Sequence, residues 1–159
     1  NSQYIKKMEL TKLSRLIKNY WNDMGWESPS KEWDLKLTNL IQDSMILLKD
    51  AIDQSKPFFI LSQMKKEGEE FLESKKEVKE SLKYILFYLK EANITKVNKD
   101  NAREIINKIT VNHSIKKGIL MKSLRVAFFG CLSGPDLIQS WELFSENKTD
   151  IPLIERCNI

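Results

Sequence analysis

The sequence is poor in the residues that build catalytic and metal sites. Among 159 residues it has one histidine, His113, and two cysteines, Cys131 and Cys157. One histidine and two distant cysteines without C-x-x-C spacing do not match a zinc site. Two cysteines are also too few for a disulfide framework, so we expect free thiols in a reducing compartment. No glycine-rich phosphate loop of common spacing is present. We therefore predict no catalytic residue, no metal ligand and no cofactor within this chain.

Long apolar runs are also missing. A transmembrane helix needs roughly 18–20 apolar residues, and no stretch of this sequence approaches that length. No charged-then-apolar signal peptide opens the chain. With 42% hydrophobic and 30% charged residues, the composition is typical of a helix-rich globular protein. We expect no membrane association and a cytoplasmic location. Because the first residue is Asn1 rather than Met, we also expect the chain either to have been processed or to be cut from a longer one.

Apolar residues recur at three- and four-residue spacing along most of the chain, whereas period-two alternation is lacking, which predicts an all-α fold. One predicted helix begins after an N-cap at Ser30, runs to about Ile52 and stops before Pro57. The segment 65–79 alternates lysine and glutamate, and we interpret it as exposed helix and linker. We therefore predict a multi-helix bundle or cage in two subdomains, 1–72 and 73–159.

Positive charge is concentrated in one part of the chain. Residues 81–125 contain 10 Lys/Arg against 3 Asp/Glu, whereas residues 1–80 contain 14 of each. The basic segment suits a polyanionic partner such as RNA better than the remainder does. A lysine-rich face that is merely solvated remains the alternative.

The stretch 116–137 holds three of the five glycines and follows the basic segment into an apolar helix. Gly118 is expected to give the loop the conformational freedom to place the neighbouring lysines around a ligand. Arg125 is expected to project from the helix that follows, and Gly130 is a typical residue for the end of that helix. The turn Ser133-Gly134-Pro135 exposes backbone beside a helix start, where amides and the helix dipole favour phosphate or base edges. The alternative is that this stretch is only a packing corner between two helices, in which Gly and Pro end one helix and start the next.

Two motifs in this region carry a resemblance to a known family. Leu124-Arg125-Val126-Ala127-Phe128-Phe129-Gly130, followed by Gly134-Pro135-Asp136-Leu137, resembles the L-R-x-A-L-T-G…G-P-x-L motif of the C-terminal domain of bacterial-type glutamyl-tRNA synthetases. Asn1-Ser2-Gln3-Tyr4-Ile5 is similar to the family's N-G-x-Y-I segment, and Leu48-Lys49-Asp50 to its L-K-[DE]. The ending Leu137-Ile138-Gln139-Ser140-Trp141 most resembles the cyanobacterial branch. Order and spacing agree from residue 1 to about 157.

The resemblance implies an excised anticodon-arm recognition module of a class I glutamate–tRNA ligase. The whole enzyme activates glutamate with ATP in a catalytic domain that this chain lacks, so the chain alone is not expected to be an enzyme. The implied partner is tRNA-Glu, joined by tRNA-Gln in some bacterial members of the family, bound by a monomer. The implied anticodon-binding residues are Arg125 as the reader, Gly134, Pro135 and Leu137 at the turn, and Lys117 and Lys122 as polar contacts.

The sequence departs from the family at two places. Phe128-Phe129 replaces Leu-Thr, so a polar group of the turn is lost. Ser44 stands where some members have an arginine for the first anticodon base, and serine cannot make the bidentate contact of a guanidinium. A general helical RNA-binding domain or a protein-interaction scaffold is the alternative function.

Overall fold

The computed structural model describes residues 2–158; Asn1, with its part of the N-terminal motif, and Ile159 lie outside the described residues. The described residues form helices and turns without a strand, which confirms the predicted all-α fold. The α-helices are α1 (Ser2–Lys7), α2 (Leu10–Asp23), α3 (Lys31–Gln42), α4 (Asp50–Ser55), α5 (Lys66–Ser74), α6 (Lys76–Glu91), α7 (Lys99–His113), α8 (Lys117–Phe129), α9 (Leu137–Glu146) and α10 (Asp150–Glu155). Two short 3-10 turns, Lys56–Phe58 and Arg156–Asn158, follow α4 and α10.

The chain divides into two compact units, Asn1–Leu61 and Ser62–Ile159. The boundary was predicted near residue 72, but that position lies within α5, inside the second unit. Although the surface of α5 is strongly charged, Gly68 and Leu72 are buried. Helix α5 packs on α6 and α8, so it belongs to the core of the second unit and is not a linker.

The first unit is built around an aromatic cluster. The indole rings of Trp21 and Trp33 meet edge to face with centroids 6.1 Å apart, and Phe59 contacts both. The Trp26 ring stacks on Phe59 at 5.1 Å. Because aromatic side chains bury large apolar areas, these contacts give a short segment of the chain a substantial core.

The predicted N-cap of α3 is confirmed, since the Ser30 hydroxyl accepts the Trp33 N–H at 3.1 Å. The helix predicted to continue to Ile52, however, ends at Gln42. The Asp50 carboxylate accepts the N–H groups of Ile46 and Leu47 at 2.9 and 2.8 Å, which forms a turn ahead of α4. The hydrogen bonds from Leu47 and Ile46 lower the pKa of Asp50.

The second unit is organised around α6, which packs against α5, α7, α8 and α10. Its inner face buries Val78, Leu82, Ile85 and Leu89. Helices α8 and α9 meet through the Phe128 ring, whose centroid lies 5.0 Å from Phe144. This packing places the C-terminal end of α8 beside the turn that leads into α9.

No helix in residues 2–158 is both long and apolar enough to cross a membrane.

Candidate nucleic-acid interface

Helix α8 ends where its backbone touches a distant segment of the second unit. Gly130 terminates the helix with a left-handed φ of 73°, as predicted, and its N–H donates to the Val126 carbonyl at 2.8 Å. A Cβ on Gly130 would lie 2.2 Å from the Gln63 carbonyl oxygen, and the Gly130 carbonyl accepts the Lys65 N–H at 2.9 Å. Glycine is required here both for the backbone angle and for the close approach.

The turn after α8 is held from two sides. The Glu67 carboxylate on α5 accepts the Leu132 N–H at 3.2 Å. Gly134 has a φ of 153°, and a Cβ there would lie 2.9 Å from the Phe129 ring. Phe129 is 6% exposed and packs on Phe144, so the residue that replaces the family's threonine forms an apolar wall behind Gly134.

Arg125 joins α8 to this turn directly. Its Nη1 donates to the Pro135 carbonyl oxygen at 2.8 Å, and the side chain is half-buried. A guanidinium carries five N–H donors in a fixed planar arrangement. With one used by Pro135, the remaining donors can serve a ligand at the turn, where Gly134 is exposed.

Helix α9 begins immediately beyond Pro135. The Asp136 carboxylate caps it by accepting the Gln139 N–H at 2.9 Å. The Leu137 side chain is 2% exposed and lies in the core, so it does not face a ligand. A contact at Leu137 would have to be made by its backbone at the positive end of the helix dipole.

Two predicted contacts lie along α8. Lys122 precedes Arg125 by three residues, which puts the two side chains on one face of the helix, and Lys122 is exposed. Lys117 is the first residue of α8 and is also exposed. It lies eight residues from Arg125, roughly 12 Å along the helix axis. The structure therefore brings Arg125, Gly134 and Pro135 together, places Lys122 beside them, and keeps Lys117 at the far end of α8.

A family model described as "Anticodon binding domain" matches residues 12–150. The chain belongs to the anticodon binding domain family. This finding confirms the family predicted from the L-R-x-A and G-P-x-L motifs.

The anticodon binding domain has curated relatives named glutamate–tRNA ligase. One from Prochlorococcus marinus subsp. pastoris is 94% identical over 157 residues, and one from Prochlorococcus marinus strain MIT 9515 is 80% identical over 159 residues. These alignments cover 99% and 100% of this chain but 33% of each relative. The chain thus spans about a third of the length of the curated relatives it matches. Because Prochlorococcus is cyanobacterial, the predicted branch is also confirmed.

Solved structures support the fold of the anticodon binding domain. A glutamate tRNA ligase from Elizabethkingia meningosepticum matches with a TM-score of 0.86 at 20% identity, covering 99% of this chain and 30% of that one. The glutamate-tRNA synthetase from Elizabethkingia anophelis matches with a TM-score of 0.75 at 20% identity, with the same coverage. At this identity the likeness establishes the shared helical architecture.

The basic segment 81–125 is largely exposed. Nine of its ten Lys/Arg side chains are exposed, and Arg125 is half-buried. Within residues 2–158, ion pairs engage Lys96 with Glu146 at 3.8 Å and Lys108 with Glu104 at 3.0 Å. The other cations of this segment have no carboxylate within 4 Å in the described part of the chain, so they are available to a polyanion.

Arg156 stabilises the end of α8 through hydrogen bonds to backbone carbonyls, a role that was not predicted from the sequence. Its Nε donates to the Ala127 carbonyl at 3.0 Å and its Nη1 to the Ser62 carbonyl, which ties the end of α8 to the start of the second unit. Burial lowers the pKa of Arg156 and raises the pKa of the neighbouring Cys157 thiol. An isolated arginine near the end of a sequence carries no local signal of this role.

A second buried polar group lies between α9 and α10. The Trp141 Nε1 donates to the Asp150 Oδ2 at 3.3 Å, and Asp150 is 5% exposed. Burial raises the pKa of Asp150, which outweighs the opposing hydrogen bond from Trp141. Asp150 therefore contributes to the packing of α9 on α10.

The remaining candidates from the sequence lie elsewhere. His113 ends α7 and stacks on Tyr84 at a centroid distance of 3.6 Å. Ser44 lies in the first unit, where its hydroxyl donates to the Ile41 carbonyl at 2.9 Å. Cys131 and Cys157 are free thiols and are buried. Residues 2–158 contain no cluster of three His, Cys, Asp or Glu side chains that could hold a metal ion.

Proposed function

We propose that this chain is the anticodon-reading region of a glutamate–tRNA ligase, and that Arg125 is its base-reading side chain. The observation that carries the proposal is the 2.8 Å hydrogen bond from Arg125 Nη1 to the Pro135 carbonyl. It fixes the plane of the guanidinium beside an exposed glycine while leaving several N–H donors free. A fixed planar donor next to accessible backbone suits the edge of an unstacked base.

The charges around this corner fit the phosphates of the same RNA. Lys122 lies on the Arg125 face of α8, and Lys117 lies at the start of that helix. Lysine contacts to phosphate release counterions, so affinity falls with salt. In this proposal the lysines supply sequence-independent affinity, whereas Arg125 supplies discrimination.

The partner we propose is tRNA-Glu, with tRNA-Gln as a second possible substrate of the whole ligase. We expect the chain to bind as a monomer and to act in the cytoplasm. The sites for glutamate and ATP are expected in the two-thirds of the ligase that this chain does not span.

A titration of the chain tests the proposal. The chain is titrated with tRNA-Glu, with tRNA-Glu carrying a changed anticodon, and with an unrelated tRNA, each at two salt concentrations. We expect tRNA-Glu to bind most tightly and all three affinities to fall with salt. Equal affinity for the three RNAs at both salt concentrations would reject anticodon reading and leave general RNA binding.

A further inference from the structure

The outer face of α6 carries a group of side chains that are not among the residues of the Arg125 corner. Lys83, Phe87 and Lys90 are four and three residues apart, so they share one face of the helix. The opposite face packs into the core of the second unit. Phe87 is 64% exposed, although a phenylalanine normally gains free energy from burial.

Aromatic rings of α6 also meet a histidine and a lysine of the neighbouring helix α7. The Tyr84 ring of α6 stacks on His113 with an interplanar angle of 5°. The Lys108 Nζ lies 5.6 Å from the centroid of the Tyr88 ring, within the range of a cation–π contact. Phe87 follows Tyr84 by three residues, so the two rings are neighbours on the surface of α6. A single exposed apolar side chain would need no explanation, but this group does.

Positive charge is available on both sides of Phe87. Within the described range 2–158, neither Lys83 nor Lys90 has a carboxylate within 4 Å, whereas Lys76, earlier on this face, pairs with Glu80 at 3.4 Å. Lys83 lies roughly 6 Å and Lys90 roughly 4.5 Å from Phe87 along the helix axis. A cationic group therefore flanks the ring in each direction, with Glu91 as an exposed carboxylate on the same side of the helix.

We propose that this face of α6 binds an unpaired nucleotide of the tRNA, with its base stacked on Phe87 and the adjacent phosphates at Lys83 and Lys90. Aromatic rings interleaved with basic side chains are the usual means of binding single-stranded nucleic acid, because every base offers a π-face. Charge complementarity favours RNA over a protein partner, which would cover Phe87 without requiring the two lysines. The inference rests on the proposed function, because the RNA is the same tRNA, but it adds a contact that does not read the anticodon.

The ring of Phe87 is tested by comparing Phe87→Leu with Phe87→Trp. Leucine keeps an apolar side chain but removes the π-face, whereas tryptophan enlarges it. We expect Phe87→Leu to weaken binding of tRNA-Glu and of a short unstructured RNA by roughly 5- to 150-fold. Phe87→Trp should retain or increase both affinities. Because position 87 is exposed, neither change should lower the melting temperature.

The lysines are tested through the salt dependence of binding. The double substitution Lys83→Gln with Lys90→Gln should make the slope of log K against log salt less steep by about 1.4 for a single-stranded contact. A matched control replaces Lys7 and Lys12, two exposed lysines of the first unit, with glutamine. The control removes the same net charge and should leave the slope unchanged.

The outcomes separate this inference from the proposed function. Unchanged RNA affinity in Phe87→Leu overturns the α6 contact, whether or not the variant alters self-association in sedimentation. If Phe87→Leu lowers the affinities for tRNA-Glu and for its changed-anticodon variant by the same factor, the α6 contact is supported. If the unaltered chain shows no preference between anticodons, the proposed function is rejected, but the effect of Phe87→Leu on RNA affinity can still be measured.

Discussion

Replacing Arg125 with lysine separates the hydrogen bond that this side chain makes to Pro135 from the base-reading role that we propose for it. Lysine retains a positive charge and can still donate a hydrogen bond to the Pro135 carbonyl, as Arg125 does at 2.8 Å. It lacks the planar pair of donors that matches a base edge. A bidentate contact to a base contributes about 1–3 kcal/mol of discrimination. The preference for tRNA-Glu over its changed-anticodon variant should therefore shrink by roughly 5- to 150-fold in Arg125→Lys.

Arg125→Ala gives the corresponding estimate for stability. It removes one hydrogen bond to a backbone carbonyl, which contributes about 0.5–1.5 kcal/mol. In a unit of about 100 residues this loss lowers the melting temperature by roughly 2–10 °C. Arg125→Lys should melt close to the unaltered chain, so its loss of discrimination cannot be attributed to unfolding.

The assay is fluorescence anisotropy with the three tRNAs, combined with thermal melts of each variant. Lys122→Gln is the control, because this exposed side chain on the same face should contribute to phosphate binding. Lys122→Gln should lower the affinity for all three tRNAs by a similar factor, so the ratio of the affinities for tRNA-Glu and its changed-anticodon variant should stay the same. Full discrimination in Arg125→Lys would refute the assignment of Arg125 as reader. A fall of much more than about 10 °C in Arg125→Ala would show that its main role is structural.

Three further substitutions, one of them paired with a control at Gly118, test the structure around the site. Gly130→Ala should destabilise the chain by ~2 kcal/mol or more in urea melts, because the φ of Gly130 is 73° and a Cβ would lie 2.2 Å from the Gln63 carbonyl oxygen. The control is Gly118→Ala, which should be neutral or stabilising because no heavy atom lies within 4 Å of a Cβ at that position. Equal changes in stability for the two variants would contradict the close contact at Gly130. Arg156→Lys should cost about 1–3 kcal/mol, because lysine cannot serve two separated carbonyls with the same geometry, and an unchanged melt would argue against that role. Asp150→Asn tests the raised pKa: stability from the protonated carboxyl is fully present below 3.8, the ordinary pKa, and is lost as pH rises through the higher folded-state pKa. Asparagine does not titrate, so the variant should gain stability relative to the unaltered chain over that pH range, and parallel pH profiles would exclude the shift.

Local features of the fold could be predicted because they depend on residues close in sequence. The Ser30 cap needs only an acceptor three residues before the Trp33 amide, and the end of α8 needs only a glycine at position 130. The continuous helix to Ile52 was wrong for a related reason. Met45, Leu48 and Ile52 keep helical spacing, but the spacing does not reveal that the Asp50 carboxylate competes for backbone amides and interrupts the helix.

Features that depend on distant residues could not be predicted in the same way. The charge pattern of 65–79 correctly indicates an exposed face but does not show that Gly68 meets Gly130. A Cβ at Gly68 would lie 2.3 Å from the Gly130 carbonyl oxygen, so this glycine allows α5 to pack on the end of α8. The sequence placed Arg125 near the turn by resemblance, whereas its hydrogen bond to Pro135 follows from how α8 and α9 pack.

The support of the turn bears on how the corner would bind RNA. Glu67 holds Leu132, Arg156 holds the end of α8, and Phe129 closes the space behind Gly134. None of these contacts requires a ligand, so the turn is formed before RNA arrives and less ordering is needed on binding. The phenylalanine in place of threonine at position 129 is consistent with this arrangement, because an apolar wall fixes the turn by packing and leaves hydrogen bonding to Arg125 and the exposed backbone. Discrimination at this corner should therefore depend on buried residues that never touch the RNA as well as on the guanidinium that does.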